Sequence, residues 1–359
     1  MASADQPSAD GRNRSWRMAM TLAIGCAGAA AGVKAGIPLP YMLGPLLFGC
    51  VAALAGAPML VLPYSRELGQ VIVGLGIGLR FTPGVALVTA KLLPFMILST
   101  GFVMLMTTAA AFLMRKIAKL DRRTAFFATA AAGIIEMSVI ATQKGADSSV
   151  VAVTHLIRVT VIVATVPFLV TMFGTQGNVH QAEIAFASET VPLIALLAAG
   201  AVLAYLVAPL RIPNSWLLTP VILGALVAAL GYGPFAVPPL LLTLAQIVIG
   251  TWIGSRFRRE IFGRLPRVTL SAVIVAAFLV ATAMPAALAL SAMTGLSFTT
   301  AVLAVAPAGI TEMVITATAM HLDAATVTAF QLMRIAVVVT TIQASFAAYE
   351  WLTDRLSSG

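Results

Sequence analysis

Ala132-Gly133-Ile134-Ile135-Glu136-Met137 and Ala308-Gly309-Ile310-Thr311-Glu312-Met313 are nearly the same phrase, written 176 positions apart. The offset holds well beyond the phrase. It carries Asp147 to Asp323, Leu156 to Leu332 and Arg158 to Arg334. It also carries Gln70, Gly74, Gly78, Arg80 and Phe81 to Gln246, Gly250, Gly254, Arg256 and Phe257. With one residue fewer, Ile37-Pro38 matches Ile212-Pro213, and Leu43, Pro45 and Gly49 match Leu218, Pro220 and Gly224. Ordered matches at one offset with a single slip mark an internal duplication.

The duplicated unit is apolar. Of 359 residues, 60% are hydrophobic and 10% charged, and the mean hydropathy is +1.00. Soluble domains carry about 25% charge, so this composition requires lipid as its solvent. It excludes a disordered chain, a secreted disulfide scaffold and an ordinary cytosolic enzyme. The two cysteines, Cys26 and Cys50, lie in apolar segments without metal-ligand spacing and read as small buried hydrophobes. Each half contains six apolar segments, near 18–33, 39–57, 66–80, 92–114, 124–144 and 148–173, then near 191–208, 215–230, 243–255, 269–292, 299–319 and 324–348. The third is short for a span. The fifth is interrupted by Gly or Pro just before its Glu.

The net charge of +9 would suggest nucleic acid in a soluble protein. Here it reports cytoplasmic loops. One basic cluster, Arg115, Lys116, Lys119, Arg122 and Arg123, lies between segments four and five of the first half. The other, Arg256, Arg258, Arg259, Arg264 and Arg267, lies between segments three and four of the second half. The corresponding stretches, 294–300 and 83–90, carry no Lys or Arg. Corresponding loops therefore lie on opposite sides, as an inverted repeat requires. Six crossings per half would make the halves parallel; five, with one segment entering and returning, place both clusters, the N-terminus and Arg355 inside. The expected fold is an all-α polytopic membrane protein of two inverted-topology repeats, about five net crossings each, with interrupted or re-entrant helices. The fifth segment is the favoured re-entrant element and the third the other candidate. The expected divisions are a polar cytoplasmic N-terminal segment 1–17, repeat one 18–173, an external linker 174–188, repeat two 189–350 and a tail 351–359. The implied location is the bacterial inner membrane, with a cytoplasmic N-terminus.

Four charges remain that topology does not explain: Glu136, Glu312, Arg158 and Arg334. A charge at the bilayer centre costs about 2.5–3.5 kcal/mol on insertion scales, so such residues face a cavity or a partner. Gly133 and Gly309 stand three residues before the glutamates, and Pro307 adds a further break. A half-helix N-terminus there presents free N–H groups to a ligand. The same Glu can instead cap its own helix. Arg158 and Arg334 read either as forks for an anion or as partners of a Glu or of freed carbonyls. His155 and Gln331 share their faces one turn earlier. Asp147 and Asp323 fit helix N-caps, Pro45 and Pro220 are expected helix breaks, and Gly74, Gly78, Gly250 and Gly254 have small-xxx-small packing spacing.

The Gly-x-x-Glu-Met blocks, the downstream Asp and Leu-x-Arg, and the run Pro40-Tyr41-Met42-Leu43-Gly44-Pro45-Leu46-Leu47 resemble the AbrB family of bacterial membrane proteins. The resemblance implies a duplicated integral membrane protein similar to inverted-repeat transporters. Related families write Pro-Gly-Gly before the Glu, where this chain has Ala131-Ala132-Gly133 and Pro307-Ala308-Gly309. Family members carry two labels, a regulator of gene expression and an ammonia monooxygenase. An oxygenase needs several metal ligands; this chain has only His155, His180 and His321, without ligand spacing. No metal, no cofactor and no enzyme activity are expected. The leading expectation is a secondary transporter of a small solute, an anion among the candidates, coupled to H+ or Na+. The alternative is a membrane sensor that affects gene expression indirectly, and a membrane enzyme, as the monooxygenase label has it, ranks third. Lipid is the expected partner, without direct nucleic-acid binding, and a homodimer is one open arrangement.

Overall fold

A computed structural model describes residues 8–173, 190–210, 212–232, 235–257, 259 and 265–357. The expected linker 174–188 lies outside the described residues. Among the described residues every secondary-structure element is a helix. The first half contains α1 (Ser8–Lys34), α2 (Pro40–Leu54), α3 (Ser65–Gly78), α4 (Pro83–Lys91), α5 (Leu93–Ala118), α6 (Arg122–Thr129), α7 (Ile134–Gln143) and α8 (Ser148–Phe173). The second contains α9 (Thr190–Val207), a single 3-10 turn, α10 (Ser215–Ala229), α11 (Pro239–Ser255), α12 (Pro266–Thr294), α13 (Phe298–Val305), α14 (Ile310–Ala319) and α15 (Ala324–Ser357).

Among the described residues six helices, α1, α5, α8, α9, α12 and α15, are long and apolar enough to cross a membrane. Much of their apolar surface faces outward: the apolar window of α9 is only 17% buried. Leu98, Leu105, Leu206, Leu226 and Leu288 are exposed. In water such a surface would drive association; in lipid it is solvated. Three findings refine the sequence reading. The polar stretch before Met18 is helical from Ser8 onward and continuous with α1. The charge-poor stretch after Arg80 forms α4, which turns 91° away from α3. Cys26 is exposed on α1 and Cys50 half-buried, so neither is a core residue.

Backbones approach closely where the small residues stand. A Cβ on Gly74 would meet the carbonyl of Leu217, and one on Gly250 the carbonyl of Met42. Gly78 faces Val221 in the same way, and Gly254 faces Leu46. The two pairs exchange α3–α10 for α11–α2, so the halves clasp each other reciprocally. This packing corrects the reading of two prolines. Pro45 and Pro220 do not break helices; α2 and α10 continue past them. Each proline removes one backbone hydrogen bond, but α2 is gripped by α1 on one side, through Gly28 and Gly44, and by α11 on the other.

The interrupted fifth segments are hairpins. Arg123, at the start of α6, donates to the carbonyl of Lys144, just past α7, at 3.0 Å. Thr124 Oγ1 accepts from the N–H of Asp147 at 2.9 Å. The start of α6 thus meets the end of α7 and the start of α8, while the break between α6 and α7 lies deep along α8. The second hairpin, α13 and α14, has its break against Gln331 and Arg334, early in α15. The mouth of the first hairpin is tied to the far end of α15. Arg122 pairs with Asp354, Arg123 with Glu350 at 3.5 Å, and Phe126 and Phe127 pack on Phe346. With 34 residues, α15 is about 50 Å long. The two hairpins therefore open toward opposite ends of it.

Candidate functional site

The last carbonyls of a helix have no partner within it. Each hairpin creates that deficit in the interior, at Ala130–Gly133 and at Ala306–Gly309. The sequence supplies the donors from the next helix. Arg158 Nη1 donates to Thr129 O at 2.9 Å and Ala130 O at 2.7 Å, and Nη2 reaches Ala132 O at 3.4 Å. Arg334 Nη1 donates to Ala306 O and Nη2 to Ala308 O, both at 2.7 Å. The N–H of Ala132 bonds Ala130 O, and the N–H of Ala308 bonds Ala306 O, each at 2.9 Å. A guanidinium is the one side chain with donors forked widely enough to hold two carbonyls around such a turn.

His155 and Gln331 complete the clamps. His155 Nε2 lies 2.9 Å from Phe127 O. A carbonyl only accepts, so Nε2 carries the proton and Nδ1 accepts from Arg158 Nη2 at 3.2 Å. Both ring nitrogens are committed. Gln331 Nε2 donates to Leu303 O at 2.7 Å, the matching carbonyl of the second half. These four residues support the breaks from behind. In this arrangement the arginine forks serve backbone rather than an added anion. Arg158 Nε, Arg334 Nε and Gln331 Oε1 remain buried without a partner.

The glutamates sit on the other side of each break. Gly133 is the N-cap of α7 and Gly309 that of α14, both extended at φ −69° and −67°. A Cβ on Gly133 would collide with Glu136 Oε2, and one on Gly309 with Glu312 Oε2. Each carboxylate therefore folds back over its own N-cap residue, as the return arm of a capping box does. That is the physical reason for glycine three positions before the Glu. The two differ in depth: Glu312 is 7% exposed, whereas Glu136 is half-buried. Asp147 and Asp323 accept from the first N–H groups of α8 and α15.

Both breaks border one buried apolar cluster. Ala131 of the first shares one buried cluster with Ala306, Ala308 and Ile310 of the second, filled in by Ile162, Val166 and Phe330. The sequence missed one link: Gln70 Nε2 on α3 donates to Thr311 Oγ1 at 3.0 Å, beside Glu312. The matching position to Thr311 is Ile135. Among the described residues no three His, Cys, Asp or Glu side chains gather to hold a metal ion.

These features define a polytopic helical membrane protein with two arginine-clamped hairpins. The model for the family described as "Transition state regulatory protein AbrB" matches residues 41–350, and the chain belongs to the AbrB family. It is 28% identical over 354 residues to YhjN of Bacillus subtilis (strain 168), covering 89% of each chain. It is 27% identical over 307 residues to a protein of Escherichia coli (strain K12) named "Putative regulator AbrB", covering 83% of this chain and 86% of that one. Neither name carries an enzyme class.

Proposed function

We propose that the chain is a secondary transporter of a small solute, driven by a proton or cation gradient, in the bacterial inner membrane. The observation that carries the reading is the pair of hairpins opening toward opposite ends of α15, with broken tips that border one buried cluster. Matched breaks at mid-depth, each with a carboxylate on a half-helix N-terminus, suit a transport site. The helix starts offer N–H groups and a positive dipole end to an anionic group. Glu312 and Glu136 are the groups proposed to take up and release the coupling ion.

The proposed topology has two inverted repeats. Three long helices and two short ones cross in each half, and the hairpin enters and returns, which makes five net crossings. The N-terminus, both basic clusters and the mouth of the first hairpin are then cytoplasmic, and the second hairpin opens outward. The test uses proteoliposomes loaded with a pH-sensitive dye and a panel of small organic anions. A transported anion changes the lumenal pH with the imposed gradient, and Glu312→Gln removes the coupled signal. Unchanged gradient-driven uptake in both Glu136→Gln and Glu312→Gln would contradict the coupling role.

The family's description and the name of the Escherichia coli relative favour a second reading, a membrane sensor that alters expression indirectly. Under it the purified protein binds a ligand without flux. Replacing Arg115, Lys116, Lys119, Arg122 and Arg123 then abolishes signalling and spares binding.

A further inference from the structure

The breaks match between the halves, but the approaches to them differ. Arg66, in the first turn of α3, lies over the ring of Trp252 at 4.2 Å. Arg256, at the end of α11, lies over the same ring at 4.3 Å. One turn deeper than Arg66, on the same face of α3, Gln70 bonds Thr311, and Thr311 adjoins Glu312. Arg66 therefore stands one turn of α3 farther out than the Gln70–Thr311 contact. The result is a line of polar groups, Arg66, Gln70, Thr311, Glu312, running inward from the end where α3 starts and α11 finishes.

The duplicate of this line is broken by apolar residues. At the offset of 176, Arg66 becomes Leu242, Trp252 becomes Gly76 and Thr311 becomes Ile135. Gln246, Arg80 and Glu136 keep their type. Two cations gathered on one indole are not needed for folding, since packing in the other half does without them. Among the described residues Arg66 makes no ion pair. Glu67 follows it but lies about 100° round the helix. A guanidinium held by an aromatic face keeps its donor fork available for a carboxylate.

We propose that Arg66, Gln70 and Thr311 form a one-sided recognition site for a small organic anion, with Trp252 holding the Arg66 guanidinium and the tip of the second hairpin as its floor. The proposal rests on the transporter reading and names its substrate class and the side, cytoplasmic in the topology above, from which the anion is selected.

The test reads charge selectivity of access and needs no transported solute. In full-length protein with Cys26→Ser and Cys50→Ser, Thr311→Cys is labelled in inside-out vesicles. The probes are an anionic reagent, the sulfonatoethyl methanethiosulfonate, and a cationic one, the trimethylammonium-ethyl form. Rates are normalised to free cysteine. The anionic reagent is expected to react about tenfold faster, the lower end of what charge focusing gives. Adding Arg66→Gln should bring the two within about twofold. Ile135→Cys should show no such preference from either side. Should Thr311→Cys not fold, Gln70→Cys is read in the same way. Equal normalised rates, a cationic preference, or no reaction with either reagent would overturn the proposal. Flux is measured separately: charge-selective labelling without flux removes the transporter reading and leaves the anion site standing.

Discussion

Replacing Arg334 by Lys removes one arm of a fork that serves two buried carbonyls. An unsatisfied buried acceptor costs about 1–3 kcal/mol, so Arg334→Lys should lower the thermal unfolding temperature in detergent clearly. Arg158→Lys should cost a similar amount, because each break has a second support, His155 in the first and Gln331 in the second. Negligible losses would show that water or lipid satisfies the freed carbonyls. At the cytoplasmic loop before α6, Asp121 caps the helix by accepting from the N–H of Thr124 at 3.0 Å. Burial raises its carboxyl, but the hydrogen bonds from Thr124 and Arg123 outweigh burial and hold it below the ordinary carboxylate value. The sign follows. The cap's contribution is present above the unfolded carboxylate pKa and is lost as pH falls through the lowered folded value. Asp121→Ala should cost about 1 kcal/mol at neutral pH and nothing additional at low pH, as thermal unfolding across pH would read.

At the scale of elements, the clasp between α3 and α10 and between α11 and α2 depends on glycines that let backbones touch. Gly74→Val and Gly250→Val each drive a side chain into a carbonyl that cannot retreat. Overpacking of this kind costs about 1–3 kcal/mol, and both variants should lose folded yield. The ion pairs at the first hairpin mouth are a different matter. Arg123 and Glu350 are partly exposed, and such pairs contribute about 0.2–1 kcal/mol. A double-mutant cycle with Arg123→Ala and Glu350→Ala should find a coupling within that range. Much of this level was legible in the sequence. The Gly-x-x-Glu phrase announced a helix start in the interior, and the Arg 22 positions after each Glu announced a partner for the break. The prolines of α2 and α10 misled because a local rule, a lost hydrogen bond, was outweighed by packing contributed by residues far along the chain. The contact of Gln70 with Thr311 spans 241 positions and leaves no local pattern to find.

At the scale of the molecule, the duplication in the sequence pairs the second to sixth segments of the two halves at an offset of 176 with one single-residue slip. What it could not carry is the asymmetry between the halves. The meaning of Thr311 against Ile135 depends on what α3 places opposite Thr311. The account as a whole stands on two hairpins that enter from opposite faces. Ser149, beside the mouth of the first, and Met293, beside the mouth of the second, are both exposed. In the background lacking Cys26 and Cys50, Ser149→Cys and Met293→Cys are treated in intact cells with a membrane-impermeant maleimide. The account predicts labelling of Met293→Cys in intact cells and of Ser149→Cys only after the membrane is opened. Labelling of both from the same side would contradict it.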